Sequence, residues 1–393
     1  MTPNSEHASL GWRGLLRVYW MSLAITGAVL ALVGWQFGAL ITFTVLVPLI
    51  IIEVTFSFDN AVVNSKVLKT MSPRWQMIFM TVGIFIAVFV VRFALPIFIV
   101  MLTAGLGFVD VIDMALNRPD DYARELHTAA PMIDAFGGTF LLMIGISYFF
   151  DPKKDLHWLG WIERRLAPLG KVDNFTPFIM ILAAAVLYFT TDPKNQGVVL
   201  VSAILGIALH IGLDLFGSLF EKEDEADETD DEKPATKQTN GLKQKVGWAA
   251  FASFMYLEVL DGSFSFDGVI GAFAITLVVQ LIVAGLGVGA MWVRSMTVHL
   301  LRAGTLAKFR YLEHGAYWAI LALGSVMYLK LYHIEPPEWF TGSLGLLFIG
   351  AAVISSKRAQ KREDREVLIH TTVGPNVTVE DEDNEPAGRH ARH

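Results

Sequence analysis

The sequence predicts an all-α, polytopic membrane protein of about ten transmembrane helices, and three observations support this fold class. Hydrophobic residues make up 53% of the 393-residue chain and charged residues only 18%, against roughly 25% charged residues in soluble domains. Ten apolar segments approach the length that crosses a bilayer core, about 20 residues. Lys and Arg are concentrated on alternate connections between these segments, as the positive-inside rule requires.

The ten segments are apolar runs separated by charged or turn-forming residues. They are, in chain order, roughly 18–36, 39–64, 76–102, 133–150, 175–191, 197–219, 247–274, 277–300, 314–332 and 340–356, the fourth and fifth being short. With the N-terminus inside, 25 Lys and Arg residues lie on the inner side and four on the outer side. This asymmetry predicts that both termini are cytoplasmic. The membrane that we expect is a bacterial inner membrane.

Composition excludes several classes of function. The chain has no cysteine, which rules out disulfides, thiolate metal sites and a cysteine nucleophile. A formal net charge of −7 and the lack of a basic face argue against a nucleic-acid partner. The sequence has neither a Ser-His-Asp arrangement nor a phosphate-binding glycine loop. We therefore expect neither an enzyme nor an ATP-driven pump, and no permanently bound cofactor.

The apolar segments group into an anchor, two halves and connecting regions. Residues 152–172 carry apolar residues at helical spacing among tryptophans and cations, which predicts a helix in the inner membrane interface. The acidic run from Glu221 to Glu232 predicts a solvated linker. The predicted organisation is an N-terminal anchor helix at 1–38, a first half at 39–150, an interfacial helix with two accessory spans at 151–220, an acidic linker at 221–246, a second half at 247–356 and a disordered tail at 357–393.

The most informative residues are carboxylates in the middle of two apolar segments. The second segment contains Glu53 and Asp59 in the stretch EVTFSFDN, and the seventh contains Glu258, Asp261 and Asp267 in EVLDGSFSFD. An acid at the bilayer centre costs about 2.5–3.5 kcal/mol, so five facing lipid would cost on the order of 12–17 kcal/mol. These side chains must therefore face one another, water or a bound cation.

The two acidic stretches match each other in sequence. Each has an acid followed six residues later by the Asp that closes the tetrapeptide FSFD, as Glu53 to Asp59 and as Asp261 to Asp267. The segment after each motif carries a single mid-span arginine, and these arginines are Arg92 and Arg294. Because the motif segments are five apart in order, the two copies point in opposite directions. This predicts an inverted repeat with its site at the bilayer midplane.

The spacing of the acids also predicts a broken helix in each motif. Residues six apart lie about 120° apart around a regular helix, so the two acids converge only where the helix unwinds. Gly262 and Gly268 would allow this in the second copy, whereas Ser57 and Asn60 would satisfy the freed backbone groups in the first. We therefore expect backbone carbonyls of both motifs among the ligands.

The side-chain chemistry of the motifs predicts a divalent-cation site. Carboxylate, amide and hydroxyl oxygens suit Mn²⁺, Ca²⁺ or Mg²⁺, and neither motif offers His or Cys to favour Zn²⁺ or Cu⁺. Five acids against two arginines also favour a counter-movement of protons. The predicted metal ligands are Glu53, Asp59, Asn60, Glu258, Asp261 and Asp267, assisted by Ser57, Ser265, Arg92 and Arg294.

Two alternatives remain open. The acids and arginines, such as Glu53 and Arg92, could pair only to specify helix packing. Outside the motifs, His210 and Asp214 lie four residues apart near the cytoplasmic end of their segment. They could ligate a metal, pair with each other or sit at the interface.

The motif residues resemble the TerC family of integral membrane proteins. Residues 53–60 are similar to its Glu-x-x-Leu-Ser-x-Asp-Asn motif, and residues 258–267 resemble its Glu-x-x-Asp-x-x-Phe-x-x-Asp-Ser motif, with Gly268 in place of the final Ser. The stretches FGGTFL from Phe136 and FRYLEHG from Phe309 are similar to further family segments. The resemblance covers about 39–150 and 247–333 and implies manganese efflux, with the matched acids as ligands.

These observations together predict a secondary transporter that exports a divalent cation, most readily Mn²⁺, across the lipid bilayer. Arg92 and Arg294 would set the electrostatics of the site or occupy it when the metal leaves. The alternatives are a Ca²⁺ or other cation/proton exchanger, and a non-transporting scaffold for metal or tellurite stress resistance. Assembly into a homo-oligomer stays open.

Overall fold

The computed structural model describes residues 12–151, 154, 156–172, 174–226 and 244–372, and these residues form an all-α protein. The all-α, polytopic fold class is confirmed, and across the described ranges no β-strand is formed. The helices are α1 (Trp12–Phe37), α2 (Ala39–Phe56), α3 (Phe58–Thr70), α4 (Pro73–Ile78), α5 (Ile86–Ala104), α6 (Phe108–Asn117), α7 (Pro119–Phe150), α8 (Gly160–Leu166), α9 (Phe175–Thr190), α10 (Gln196–Ala226), α11 (Gly247–Ile275), α12 (Val279–Arg302), α13 (Thr305–Lys308), α14 (Leu312–Lys330) and α15 (Glu338–Thr372).

All ten predicted apolar segments are helical, and most of them are long enough to cross a membrane. Among the described residues, seven helices have the length and apolarity of a membrane span: α1, α2, α5, α7, α10, α12 and α15. An eighth is reached if Gly160–Gly170 and Phe175–Thr190, which meet at an angle of 100°, form one bent span. The protein is therefore a polytopic membrane protein, and the count of ten spans stays a prediction.

The large apolar side chains on the outside of the helices agree with a lipid-facing surface. Trp35 on α1 and Phe189 on α9 are 84% and 79% exposed, although a soluble protein of this size would bury most such residues. The interior is built around α7, which packs against α10 and α14. Gly138 and Gly324 allow the close crossing of α7 and α14, since a Cβ on Gly324 would lie 3.1 Å from the carbonyl oxygen of Gly138.

The two motif helices differ, and one prediction about them is wrong. The first motif is interrupted at Ser57, whose ψ of 17° separates α2 from α3. The second motif lies within α11, which continues unbroken from Gly247 to Ile275. Glycine lowers helix propensity but does not end a helix that is held by its neighbours. Gly268 instead allows a close approach, because a Cβ there would lie 3.2 Å from Glu53 Oε2.

Two carbonyls of the first motif, those of Glu53 and Ser57, are engaged in backbone hydrogen bonds. Ser57 N–H donates to the Glu53 carbonyl at 3.0 Å, and Ala61 N–H donates to the Ser57 carbonyl at 3.2 Å. The interruption is therefore a single-residue irregularity bracketed by helical hydrogen bonds.

The helix that carries Arg92 has an unusual backbone. Residues Ile86–Ala94 form a π-helix, preceded by a π-helical turn at Phe79–Gly83. The wider turn of a π-helix re-aims the side chains that follow it, and such segments are frequent at functional sites. Apolar periodicity alone did not predict this feature.

The connecting regions are more helical than predicted. The tail expected to be disordered from 357 onward continues α15 as far as Thr372, and Arg310 pairs with Glu363 on this extension. Its Ala, Gln, Lys, Arg and Glu residues are strong helix formers. Likewise α10 extends into the acidic run as far as Ala226, while residues 227–243 and 373–393 lie outside the described residues.

The segment predicted to lie at the membrane interface is anchored by a buried ion pair. Glu163 on α8 is 1% exposed and accepts the backbone N–H groups of Trp158 and Leu159 and a bond of 3.2 Å from Lys154 Nζ. Burial lowers the pKa of the Lys154 amino group, although the Glu163 carboxylate opposes this shift. The segment is therefore attached by specific polar contacts as well as by its apolar face.

Candidate metal centre

The first half of the site is an ion pair between α2 and α5. Glu53 lies one turn before the interruption at Ser57, and its carboxylate pairs with Arg92. Both side chains are nearly inaccessible to solvent, at 4% and 1% exposure. Ser57 Oγ donates to Glu53 Oε1 at 3.2 Å, and Arg92 Nη1 donates to the Ala87 carbonyl at 2.8 Å. The π-helix and the broken motif thus fix both partners of this pair.

The second half repeats this arrangement between α11 and α12. Arg294 Nη2 lies 3.0 and 2.9 Å from the two oxygens of Glu258. Its Nη1 donates to the Phe79 carbonyl at 3.0 Å, and its guanidinium carbon lies 4.2 Å from the centre of the Phe79 ring. Arg294 therefore reaches from the second half of the protein to the π-helical turn of the first half.

Asp261 joins the two halves. Its Oδ2 lies 3.6 Å from Arg92 Nη1 and 3.7 Å from Arg294 Nη2. Its Oδ1 accepts a hydrogen bond of 2.8 Å from Asn60 Nδ2. The five charged groups form one continuous chain in the buried interior, in the order Glu53, Arg92, Asp261, Arg294 and Glu258.

Asp59 lies beside this chain and is not one of its members. It occupies the first turn of α3, is 4% exposed, and its Oδ1 accepts the backbone N–H of Asn60 at 3.0 Å. The two arginines of the cluster pair with Glu53, Asp261 and Glu258. The charge of Asp59 is therefore balanced by neither of them.

A cavity of about 70 Å³ opens onto this acid. Its lining includes Glu53, Ser57, Asp59 and the glycines Gly268 and Gly345. A Cβ on Gly345 would lie 3.4 Å from Asp59 Oδ2, so the glycine leaves room beside the carboxylate. A volume of this size accommodates several water molecules, since one needs roughly 10–15 Å³. The cavity therefore has space for a partly hydrated cation in contact with two carboxylates.

Two further glycines make room for the ion pairs. A Cβ on Gly289 of α12 would lie 2.5 Å from Glu53 Cβ and Cγ, and a Cβ on Gly83 would lie 2.3 Å from Arg294 Nη1. Each ion pair thus packs against a glycine of a crossing helix. This role could not be predicted from the sequence, because it depends on which helix crosses at that level.

The cluster has more acid than base. Four carboxylates with described side chains, Glu53, Asp59, Glu258 and Asp261, face two arginines and leave two negative charges in excess. Asp261 Oδ2 and Asn60 Oδ1 are buried and have no hydrogen-bond partner within the described structure. Yet among the described residues no three His, Asp or Glu side chains converge as a ready-made metal cage. An ion bound here would therefore keep water ligands or draw an acid away from its arginine.

The predicted site residues can now be placed. The structure brings together Glu53, Asn60, Arg92, Glu258, Asp261 and Arg294, whereas Ser57 and Asp59 line the adjoining cavity. Ser265 is buried in α11 at 4% exposure. Asp267 belongs to the same helix, and its side chain lies outside the described part of the structure. The pairing of Arg92 with Glu53, named as an alternative from the sequence, is present.

Comparison with known proteins gives a family without an assigned activity. A family model described as "Protein of unknown function (DUF475)" matches residues 58–363, which is more than half of the chain. The matched region includes Asp59, both arginines and the whole second motif, and it begins after Glu53. No curated protein and no solved structure matches this chain.

Proposed function

We propose that this chain, which belongs to the DUF475 family, is a secondary transporter that moves a divalent cation across the membrane. The observation that carries this proposal is the buried chain of three acids and two arginines, next to a 70 Å³ cavity lined by Glu53 and by Asp59, which pairs with neither of these arginines. Ionisable residues inside a membrane protein are costly and mark pathways for ions or protons.

The excess of acid favours transport over a purely structural role. Replacing a buried ion pair by apolar residues is often neutral or stabilising, so pairing alone is a weak reason to keep charges in a membrane. Two negative charges also remain after both arginines are counted. One divalent cation, or two protons, neutralises them.

The geometry supports an exchange of partners as the mechanism. A cation in the cavity meets the carboxylates of Asp59 and Glu53, since both line it. Binding of the cation to Glu53 competes with the ion pair between Glu53 and Arg92. Arg92 already lies 3.6 Å from Asp261 and can pair with that carboxylate instead. Arginine, always protonated, then acts as an internal counter-ion when the metal leaves.

Oxygen ligands favour Mn²⁺, Ca²⁺ or Mg²⁺, and the resemblance of the motifs to the TerC family supports Mn²⁺ as the exported ion. The same proposal includes an inverted repeat of the two motif-bearing halves, both termini in the cytoplasm and a bacterial inner membrane. The Lys and Arg distribution supports this orientation. Coupling to protons follows from the excess of acids.

The decisive experiment measures Mn²⁺ flux into vesicles that contain the purified protein. Asp59→Asn and Asp261→Asn should abolish flux and the thermal stabilisation by Mn²⁺, which amounts to about 2.7 kcal/mol at a hundredfold excess over Kd. Asp120→Asn, at an exposed acid in the first turn of α7, is the matched control and should behave as wild type. Retention of flux in both site variants would contradict the proposal.

A non-transporting scaffold is the second candidate, and the complete pairing of Glu258 with Arg294 favours it. A scaffold would keep its fold and its binding partners in Asp59→Asn and would not be stabilised by Mn²⁺. Flux that depends on Ca²⁺ or on an imposed pH gradient would instead indicate a Ca²⁺ or cation/proton exchanger.

A further inference from the structure

A second, larger cavity lies at the opposite end of the motif helices. The 70 Å³ cavity is lined by Ile275, the last residue of α11, whereas a cavity of about 630 Å³ is lined by Ser253 and Tyr256 near the beginning of that helix. Lys66, near the end of α3, also lines the larger cavity. The acid–arginine cluster, held by Glu258 and Asp261, therefore lies between the two cavities.

The larger cavity contains a pair of metal-ligating side chains that the motifs do not use. His210 and Asp214 of α10 both line it and lie four residues apart, hence on one face of the helix. Imidazole binds first-row transition metals well, in contrast to the oxygen-only motifs. The other charged groups on its wall are Asp151, Lys245 and Lys66, and Lys66 is paired with Glu313.

A polar face of α3 connects this cavity to the cluster. Asn60 and Asn64 are four residues apart and are each 1% exposed. The Oδ1 atoms of both are buried without a hydrogen-bond partner within the described structure. Asn60 Nδ2 contacts Asp261, and Val67, which lines the larger cavity, lies seven residues after Asn60 on the same helix face, about 10 Å along the helix. Two unpaired carbonyl-type oxygens on one helix face are acceptors for a passing cation or its water.

We propose that the larger cavity is a second divalent-cation site, ligated by His210 and Asp214, from which the ion reaches Asp261 past the amide oxygens of Asn64 and Asn60. The binding site stands on its own geometry, and its role as a loading site rests on the proposed transport. Two protein ligands leave the remaining positions to water, for which a 630 Å³ cavity has room. The imidazole favours first-row transition-metal ions over Ca²⁺ and Mg²⁺ at this step.

Binding is tested with MnCl₂ alone on the purified full-length protein. We expect two Mn²⁺ ions per chain and a ¹⁴N coupling in pulsed electron paramagnetic resonance. His210→Gln should abolish the nitrogen coupling and weaken the second site by at least roughly tenfold. The control is His127→Gln, at an exposed histidine of α7, and it should leave both signals unchanged. A nitrogen coupling that is absent from the wild type, or that survives His210→Gln, would overturn the site.

The passage is tested with Asn64→Leu, which replaces an unpaired buried amide by an apolar group of similar size. Such a change should preserve or raise the melting temperature, yet we expect Mn²⁺ flux to fall at least tenfold while His210-dependent binding remains. Asn64→Asp, which keeps the oxygen, should retain flux. Wild-type flux in Asn64→Leu would overturn the passage.

The failure of each proposal has its own signature. If wild-type vesicles show no Mn²⁺ flux, transport and the loading role fail together, while the nitrogen coupling still decides the second site. If flux is lost in Asp59→Asn but does not change when His210, Asp214 or Asn64 is replaced, the proposed function stands and this inference is wrong.

Discussion

The two copies of the acidic motif have similar sequences but different structures. The first is interrupted at Ser57 and presents Glu53 and Asp59 to a cavity, whereas the second is embedded in the continuous helix α11. In the second copy Glu258 is bound through both oxygens by Arg294. If the proposed transport is correct, we expect a division of labour, in which the first copy exchanges ligands and the second keeps its carboxylate paired with Arg294.

The largest expected effect comes from removing the arginine of the fixed copy. Arg294→Leu leaves Glu258 buried without its partner and should cost about 3–5 kcal/mol of unfolding free energy. Arg92→Leu should cost less, because Glu53 can be hydrated from the cavity. Thermal unfolding of both variants in detergent checks the order, and the double change Arg294→Leu with Glu258→Leu should recover much of the loss. An equal cost for both arginines would remove the distinction between the copies.

The glycines that pack against the two ion pairs, Gly289 and Gly83, provide the next test. Gly289→Ala would place a Cβ 2.5 Å from Glu53 Cβ and Cγ, which are close to the backbone and cannot move away. We expect a loss of about 1–3 kcal/mol, typical of overpacking.

Gly83→Ala should cost less stability, because the atoms in its way are the ends of the Arg294 and Glu258 side chains. It should nevertheless displace that pair and reduce flux. Gly212→Ala, with open space around its Cβ position, is the control for both variants, and a larger cost at Gly83 than at Gly289 would contradict this reasoning.

Much of this arrangement could be predicted because charge is costly in a bilayer. That cost identified five acids, Glu53, Asp59, Glu258, Asp261 and Asp267, that had to face one another, water or a cation. The structure brings Glu53, Glu258 and Asp261 into one cluster with the two arginines. What the sequence could not specify depends on tertiary neighbours. Gly262 and Gly268 predicted an unwound second motif, but α11 stays helical and Gly268 serves instead as clearance for Glu53.

The extent of helix in the C-terminal tail was also underestimated, because its high charge was interpreted as a sign of disorder. The stretch after residue 356 is highly charged, yet it is helical to Thr372, and Arg310 pairs with its Glu363. The same limit applies to Asn64, which no sequence pattern singled out. Only the structure gives its burial and its unpaired oxygen.

The serines of the two copies should have unequal effects. Ser57 Oγ donates to Glu53 Oε1 at 3.2 Å, so Ser57→Ala should cost about 0.5–1.5 kcal/mol and weaken Mn²⁺ binding. Ser265→Ala, in the continuous helix, should change metal affinity less. Isothermal titration of both variants with MnCl₂ measures the difference. A stronger effect at Ser265 would indicate that the second copy, too, exchanges ligands.

The smallest change in stability, with a clear functional effect, is expected for Gly268→Ala. Within a helix, alanine is favoured over glycine by up to about 1 kcal/mol, while its Cβ would lie 3.2 Å from Glu53 Oε2 and require a small shift. These effects should nearly cancel in the melting temperature. The added methyl group lies on the wall of the 70 Å³ cavity and should therefore slow larger ions more than smaller ones, so that Ca²⁺ competes less well against Mn²⁺. If competition by Ca²⁺ is unchanged, the ion does not contact this wall, and the first copy loses its role as the exchanging partner.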